Sequence, residues 1–544
     1  MRQNIQALGR IVGQLNYLLD RKQKRESIRV FVCMILESAL ELMGVSAIYP
    51  FLQMMLTPDT IKEKWYVKWL YLLNPDISTR MVLLSLGIVI IFIYVFKNAF
   101  MIFCAYIRSS FSTRFQRDLS VKMLSSYLKH PYQYFLDTNS GEIMRGIHSD
   151  VAGAFQILVN FFTLIAECLT VIVLGIFLFM SDVFMTVVAM TLAAICLLAT
   201  ILGFKNRMKR AGQRSREAAG LRYQYGYQSV NGIKEIMVLD RKDNFVEQYR
   251  DAAALEQKAL VVNDVIGACP DRILEGVCIG GIIGIVCIRI AGGVELNNFI
   301  PVLGLFAMAA FKILPCISKI SIRINAIVYA QPNLQGAYQN LKEANEYEEE
   351  LKKYVLPETD STMENIEDMR FSSELKIDHV VWRYANTREN VLENIELTVQ
   401  KGESIALIGA SGAGKTTLAD IIMGLLKPQS GTIYMDGVDI FTIPHQWAKI
   451  IGYVPQSVFL IDDTVRKNVA FGLKDKQIDD DKVWEALRQA QLKEFVEKLP
   501  YRLDTIVGER GVKFSGGQRQ RIAIARASID SITAVSVSLS KAEV

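Results

Sequence analysis

The chain has 544 residues, of which 51% are hydrophobic and only 22% charged, and its mean hydropathy is positive, at +0.23. These values exclude a disordered chain and argue against a wholly soluble multi-domain enzyme. With 61 Lys and Arg against 56 Asp and Glu, the formal net charge is +5, too mild an excess to point to nucleic acid.

The eight cysteines (Cys33, Cys104, Cys168, Cys196, Cys269, Cys278, Cys287 and Cys316) all fall in the apolar first part of the chain and form no CxxC pair. That distribution suits small buried side chains rather than a disulfide framework or a zinc site. At the N-terminus, Arg2, Arg10, Arg21, Lys22, Lys24 and Arg25 precede the first long apolar run, and no small-residue cleavage site follows a short apolar core. A cleavable signal is not expected there. Ile5, Leu8, Ile11, Val12, Leu15, Leu18 and Leu19 recur at helical spacing, so residues 1–27 read as an amphipathic segment lying on a membrane surface or packed on protein.

Six segments then approach the ~20 apolar residues that a membrane-crossing helix needs: 28–56, 81–107, 155–180, 183–204, 273–291 and 299–320. Lys and Arg crowd residues 1–27, 108–150 and 205–272, whereas the turns at 181–182 and 292–298 carry none. By the positive-inside rule the N-terminus, both long loops and the C-terminal part face the cytoplasm. Both long loops read as helix for most of their length, broken near His130-Pro131 and Asn139-Ser140-Gly141. Glu37, Glu41, Lys97, Glu167 and Lys312 fall inside apolar stretches, where a charge at mid-membrane costs ~2.5–3.5 kcal/mol even on lenient scales. They require either a polar cavity or one another. Arg289, near the outer end of the fifth span, is expected to snorkel. Acidic, polar residues around Glu348-Glu349-Glu350 and Pro357-Glu358-Thr359 read as a link between domains.

From about Leu375 the pattern changes to short β-rich runs. An apolar stretch, Ser404-Ile405-Ala406-Leu407-Ile408, reads as a strand entering Gly409-Ala410-Ser411-Gly412-Ala413-Gly414-Lys415-Thr416-Thr417. Glycines in such a loop let backbone N–H groups turn inward around phosphate oxygens, and a helix starting near Lys415 adds the positive end of its dipole. Lys415 then neutralises the β- and γ-phosphates and the Thr416 hydroxyl ligates Mg²⁺. Further on, Ser515-Gly516-Gly517-Gln518 opens a helical run and offers a second anion nest. One nucleotide does not need two nests in one chain; a dimer in which each nest closes on the partner's loop explains both.

Together with Gln456, which follows the strand at 450–454, and Val507-Gly508-Glu509-Arg510-Gly511, these motifs stand in the order of an ATP-binding cassette. The chain resembles an ABC exporter half-transporter, and the resemblance extends over nearly its whole length. It implies an all-α six-helix transmembrane bundle with long cytoplasmic helices, followed by an α/β P-loop ATP-binding cassette incomplete at its C-terminus. The implied organisation is a membrane domain at 28–335, a linker at 336–374 and a nucleotide-binding domain at 375–544. On the family pattern Tyr384 stacks on adenine, Gln456 approaches Mg²⁺ and the attacking water, and Glu509-Arg510 contacts the cytoplasmic loops. The loop tips at Pro131 to Ile143 and at Gly232-Ile233-Lys234-Glu235 look like coupling helices. Glu41-Leu42-Met43-Gly44-Val45, Tyr49-Pro50-Phe51 and Phe311-Lys312-Ile313-Leu314-Pro315 resemble the bacterial flippase of lipid-linked oligosaccharides.

The resemblance ends after Ala527. The family's strand ending in adjacent Asp and Glu, and its later His, have no counterpart: only Asp530 and Glu543 follow Gln518 among acids, and all four histidines precede the family's signature, Ser515-Gly516-Gly517-Gln518. Truncation or frameshift is expected to leave residues 528–544 foreign to the family, to deprive the loop's strand of a neighbour, and to leave hydrolysis without its general base. The expected activity is ATP-driven, Mg²⁺-dependent export of an amphipathic substrate, a lipid-linked oligosaccharide among the candidates, across a bacterial inner or plasma membrane. The working unit is a homodimer, or a heterodimer with another half-transporter. A lipid or peptide exporter is the neighbouring alternative, and a hydrolysis-deficient nucleotide-binding protein or a non-functional product is the alternative from another class.

Overall fold

Long apolar runs without Gly/Pro clusters become long helices. The computed structural model describes residues 2–56, 79–181, 183–291, 296–354, 371–384, 387–529 and 535–538. Two units emerge, one of Met1–Lys129 with Thr138–Asn345 and one of His130–Asp137 with Glu346–Val544.

The first unit is helical: α1 (Arg2–Leu18), α2 (Arg21–Leu56) and α3 (Thr79–Lys129) lead, through α4 (Tyr132–Asp137) of the second unit, to α5 (Ser140–Arg145). A π-turn, Gly146–Asp150, joins α5 to α6 (Val151–Ser181), and α7 (Val183–Asn231), the short α8 (Ile233–Val238), α9 (Lys242–Ala291) and α10 (Leu296–Tyr354) follow. Predicted spans 81–107, 155–180 and 183–204 overlap helices long and apolar enough to cross a membrane. Spans 28–56, 273–291 and 299–320 lie on helical backbone but run partly over side chains outside the described residues, including those of Lys312 and Arg289. Helix α10 continues unbroken to Tyr354, so the first part of the stretch read as linker is helix, while 355–370 lies outside the described residues.

Ile11, Leu15 and Leu18 of α1 are buried, Tyr17 meets Tyr338 edge-on at 5.1 Å, and Lys122 Nζ donates to Leu18 O at 3.1 Å. Of the two readings of this segment, packing on protein is the one observed for its C-terminal half.

The charges inside the apolar helices find each other. Antiparallel α2 and α3 are joined by Gln23–Asp118 at 3.0 Å, Glu26–Arg114 at 3.4 Å, Glu37–Arg108 at 3.2 Å and Glu41–Lys97 at 2.7 Å. Glu167 of α6 pairs with Lys319 of α10 at 3.3 Å. Before α6, the π-turn aims Asp150 at Arg216 of α7, whose Nε and Nη2 each donate to one carboxylate oxygen at 2.8 Å. Such turns interrupt helices at constrained positions, and this one supplies a bidentate ion pair.

In the second unit, alternating buried residues Leu375, Ile377, Val380 and Trp382 make β1 (Glu374–Trp382) the centre of an antiparallel sheet. Its order is β2 (Leu392–Gln400), β1, β3 (Ser430–Met435), β4 (Val438–Asp439). This sheet shares a core with α11 (Lys415–Ile422) and α12 (Pro444–Ile450), where Trp447 Nε1 donates to Ile422 O at 2.9 Å. A second core gathers α13 (Val465–Val469), α14 (Asp480–Gln489), α15 (Lys493–Glu497) and α16 (Gly516–Ser528) around Val465, Leu487 and Ile522.

Two expectations are corrected here. Residues 404–408 form no strand; Ile405 and Leu407 are each 41% exposed and Ile408 89%, because an extended apolar segment without a hydrogen-bonded neighbour is not a strand. Nor is the whole tail foreign to the fold. Val535–Ser538 forms β6, parallel to β5 (Ile451–Val454) from Ile451↔Val535 to Val454↔Ser538, as its Val-Ser alternation permits.

Candidate functional site

The loop from Gly409 to Thr417 turns through left-handed backbone at Gly412 and Gly414, with φ of +86° and +82°. Only glycine adopts these conformations without strain. A side chain on Gly414 would also crowd Leu392 and Val391. Gly414 caps α11, and Leu418 N donates to its carbonyl at 2.9 Å. Within the loop Ala413 N donates to Ala410 O at 3.2 Å. Lys415 Nζ donates to Gly409 O and Ala410 O, both at 2.7 Å, which holds the ammonium beside the loop. Ser411 and Thr416 are exposed, whereas Thr417 is buried.

Tyr384 lies beside this loop. Its ring meets Trp382 edge-on at 6.0 Å and its hydroxyl shares a 2.9 Å hydrogen bond with Thr417 Oγ1, so the predicted adenine-facing aromatic and the predicted phosphate loop are joined directly. Gln456 is exposed just beyond β5.

At the signature, Ser515 caps α16 in a reciprocal pair: Gln518 N donates to Ser515 Oγ at 3.3 Å and Ser515 N to Gln518 Oε1 at 2.8 Å. This is a capping box. Nothing lies within 4 Å of the positions where side chains on Gly516 and Gly517 would start, so the turn is open in front. Among the described residues no hydrogen bond joins this turn to residues 409–417 of the same chain. Glu509 and Arg510 are exposed in a single 3₁₀ turn. Asp530 and Glu543 lie outside the described residues.

Three groups interact around α4, in the loop tip expected to be a coupling helix. Burial pushes the Asp420 carboxyl up. Burial also raises the Tyr132 phenol, helped by the charge of Asp420 and by Tyr384, and raises that of Tyr453, helped by Asp420 and Tyr132. The loop tip read as a coupling helix thus puts Tyr132 within reach of the charge of Asp420, on the helix that follows the phosphate loop. The likeness of this tip to a coupling helix signals the segment; nothing in the sequence pairs Tyr132 with Asp420. The other tip, α8, exposes Ile233, Met237 and Val238.

Comparison with known proteins places these motifs. Residues 30–273 match the ABC transporter transmembrane region and residues 392–534 the ABC transporter family. The chain is 41% identical over 161 residues to an uncharacterized ABC transporter ATP-binding protein, YfiB, of Bacillus subtilis (strain 168), which is 29% of this chain and 28% of that protein. It is 28% identical over 402 residues to the heterocyst differentiation ATP-binding protein HepA of Nostoc sp., covering 72% of this chain and 62% of that protein. To the ATP-dependent lipid A-core flippase of Ralstonia nicotianae it is 27% identical over 444 residues, 78% of this chain and 69% of the flippase. The chain therefore spans less than two thirds of the length of the first two of these relatives. Among solved structures, a bacterial Atm1-family ABC exporter with ATP bound superposes with a TM-score of 0.73 at 18% identity, over 95% of this chain and 86% of that one.

Proposed function

Because this chain is an ABC transporter chain, joining that family's membrane region to its ATP-binding domain, we propose that it is one half of an ATP-driven exporter that moves an amphipathic, lipid-like substrate across the membrane. The observation that carries the reading is the loop itself. Gly412 and Gly414 open the backbone, Lys415 is held at its mouth, and α11 points its N-terminus at the same space. This is the arrangement that cradles a triphosphate.

In this reading Gly409, Ala410, Ser411, Gly412, Ala413 and Gly414 surround the phosphates, Lys415, Thr416 and Thr417 complete the cradle, and Tyr384 flanks the base. Mg²⁺ takes hard oxygen ligands and keeps several waters; the Thr416 hydroxyl and the Gln456 amide oxygen are donors of the right kind. The open turn of Ser515, Gly516, Gly517 and Gln518 closes on ATP held by a second chain, either another copy or a related half-transporter. The exposed apolar residues of α8 suit the same pairing. Both termini lie in the cytoplasm of a bacterial inner or plasma membrane. Relatives named as lipid A-core flippases support a lipid rather than a peptide substrate. The ion pairs of Glu37, Glu41 and Glu167 support mutual neutralisation of those charges over a basic headgroup cavity.

Titration of the purified chain with a fluorescent ATP analogue and Mg²⁺ tests the reading. Saturable binding that weakens at least tenfold in Lys415→Ala is expected. Absence of saturable binding, or equal binding by both proteins, would refute it. The exposed residues 404–408 favour a second reading, a nucleotide-binding partner that does not itself hydrolyse ATP. Sustained ATP turnover by the chain alone would exclude it.

A further inference from the structure

The helical lobe of the second unit contains a fully buried polar side chain, Asn468, at 0% exposure. Its Oδ1 accepts from Ile461 N at 3.0 Å, and its Nδ2 donates to Ile461 O at 3.0 Å and to Thr464 O at 3.1 Å. One amide therefore ties down the loop that follows Gln456. The hydrogen-bonding capacity of the group is used at nearly every position, as burial demands.

The backbone carbonyl of Asn468 accepts from Arg526 Nε at 2.9 Å, and Arg526 Nη1 donates to Phe459 O at 3.1 Å. The guanidinium lies over the Phe471 ring at 4.4 Å. Arg526 is in the last turn of α16, the helix whose first turn is the Ser515 nest. A third segment joins the same assembly: Val465 N donates to Thr505 O and Val507 N to Asp463 O, each at 3.0 Å, and Thr464 bridges Ile506. Residue 507 leads directly into Gly508-Glu509-Arg510-Gly511. Gly511 closes the ring from the other side, since a side chain there would press on Leu460 and Arg519.

We infer that Asn468 and Arg526 are positioning residues that bind the loop after Gln456, the segment 505–511 and the signature helix into one lever, so that a displacement delivered at any one of the three relocates the Ser515 nest. The inference deepens the proposed function and takes from it the role of the nest. The linkage itself is independent of nucleotide. A guanidinium that spans two carbonyls and stacks on a ring cannot be replaced by an ammonium without loss of one contact, and a buried amide whose NH₂ serves the carbonyls of Ile461, Asp463 and Thr464 cannot lose that NH₂ without stranding them.

Amide hydrogen exchange on the full-length chain in detergent tests the lever without ligand. In Arg526→Lys, exchange at Val465 and Val507 is expected to accelerate together by at least tenfold, with Leu418 of α11 and Ile433 of β3 unchanged. Asn468→Asp, which keeps the acceptor and removes the donor, is expected to give the same pattern with Ile461 included. If Asn468→Asp does not fold, Arg526→Lys decides alone. Acceleration confined to Val465, with Val507 unmoved, would overturn the inference, as would a uniform rise that includes Leu418 and Ile433. The functional arm adds ATP and Mg²⁺: Arg526→Lys should bind the fluorescent nucleotide within twofold of the original chain but lose at least tenfold in nucleotide-dependent dimerisation. Equal loss in both measurements would overturn the lever. Failure of both chains to bind nucleotide would sink the proposed function while the exchange result still stood or fell by itself.

Discussion

Lys97 and Glu41 form an ion pair at 2.7 Å between α3 and α2, with side chains only 4% and 11% exposed. Gly44, one turn along α2 from Glu41, lies against the Lys97 stem, and Tyr94 donates its hydroxyl to Gly44 O at 3.2 Å. Removing one member of a buried pair strands the other charge, at a cost of about 3–5 kcal/mol. Glu41→Gln is therefore expected to lower the thermal midpoint of the detergent-solubilised chain by several degrees. The exchanged pair Glu41→Lys with Lys97→Glu should recover much of the loss. Equal midpoints for Glu41→Gln and the original chain would show that the pair contributes nothing.

Gly336 of α10 lies where the π-turn and α7 meet. A methyl group there would overlap both Arg216 Nη2 and Asp150 Oδ2, the two atoms that make one arm of the bidentate pair. Overpacking typically costs about 1–3 kcal/mol, and here it also separates a buried carboxylate from its guanidinium. Gly336→Ala is expected to destabilise the chain more than Gly203→Ala, since nothing lies within 4 Å of a methyl at Gly203. Parallel thermal melts of the two variants check the ranking.

The capping box at Ser515 predicts a local effect. Ser515→Ala removes the acceptor of the Gln518 amide, and such caps contribute about 0.5–2 kcal/mol. Exchange at the Gln518 amide should rise several-fold, while Ile522, deep in α16, stays protected. Ser515→Thr should leave both unchanged.

Tyr384 has two separable parts. Its hydroxyl bonds Thr417 and its ring stands against Trp382. If the ring is what meets the base, Tyr384→Phe binds fluorescent ATP within about twofold to threefold, the worth of one net hydrogen bond of ~0.5 kcal/mol, and Tyr384→Ala binds much more weakly. Equal weakening in both variants would place the contribution in the hydroxyl.

The local motifs were legible because their geometry is set within a few residues. Gly412, Gly414 and Lys415 follow one another on a single turn, and Ser515 with Gln518 is a capping box readable from spacing alone. The elements misread depend on distant partners. Residues 404–408 have a strand's composition, yet a strand exists only when a neighbour pairs with it. Val535–Ser538 carries no motif that announces a strand partner, yet β5 pairs with it and its alternation fits. Asn468 looks like any polar helix residue until Arg526, 58 positions away, is seen to hold its carbonyl. That Glu41 and Lys97 need a partner was legible, but not that each is the other's, because 56 positions separate the two halves of the pair.

Asp420 on α11 carries the last prediction. Burial raises its carboxyl above the ordinary value of 3.8, so the folded chain holds that proton more tightly than the unfolded one does. Stability from this group is then greatest below 3.8, declines as pH rises from 3.8 through the raised value, and is level above it. At neutral pH the charged carboxylate is a liability that Asp420→Asn removes. The same substitution withdraws a negative charge that helps raise the phenols of Tyr132 and Tyr453. Asp420→Asn is therefore expected to melt at or above the temperature of the original chain at pH 7, with a flatter dependence between pH 4 and 7. The tyrosinate absorbance that grows in on alkaline titration should also begin at lower pH. A lower melting temperature at pH 7 would mean that the carboxylate makes a favourable contact at α4 which outweighs its burial.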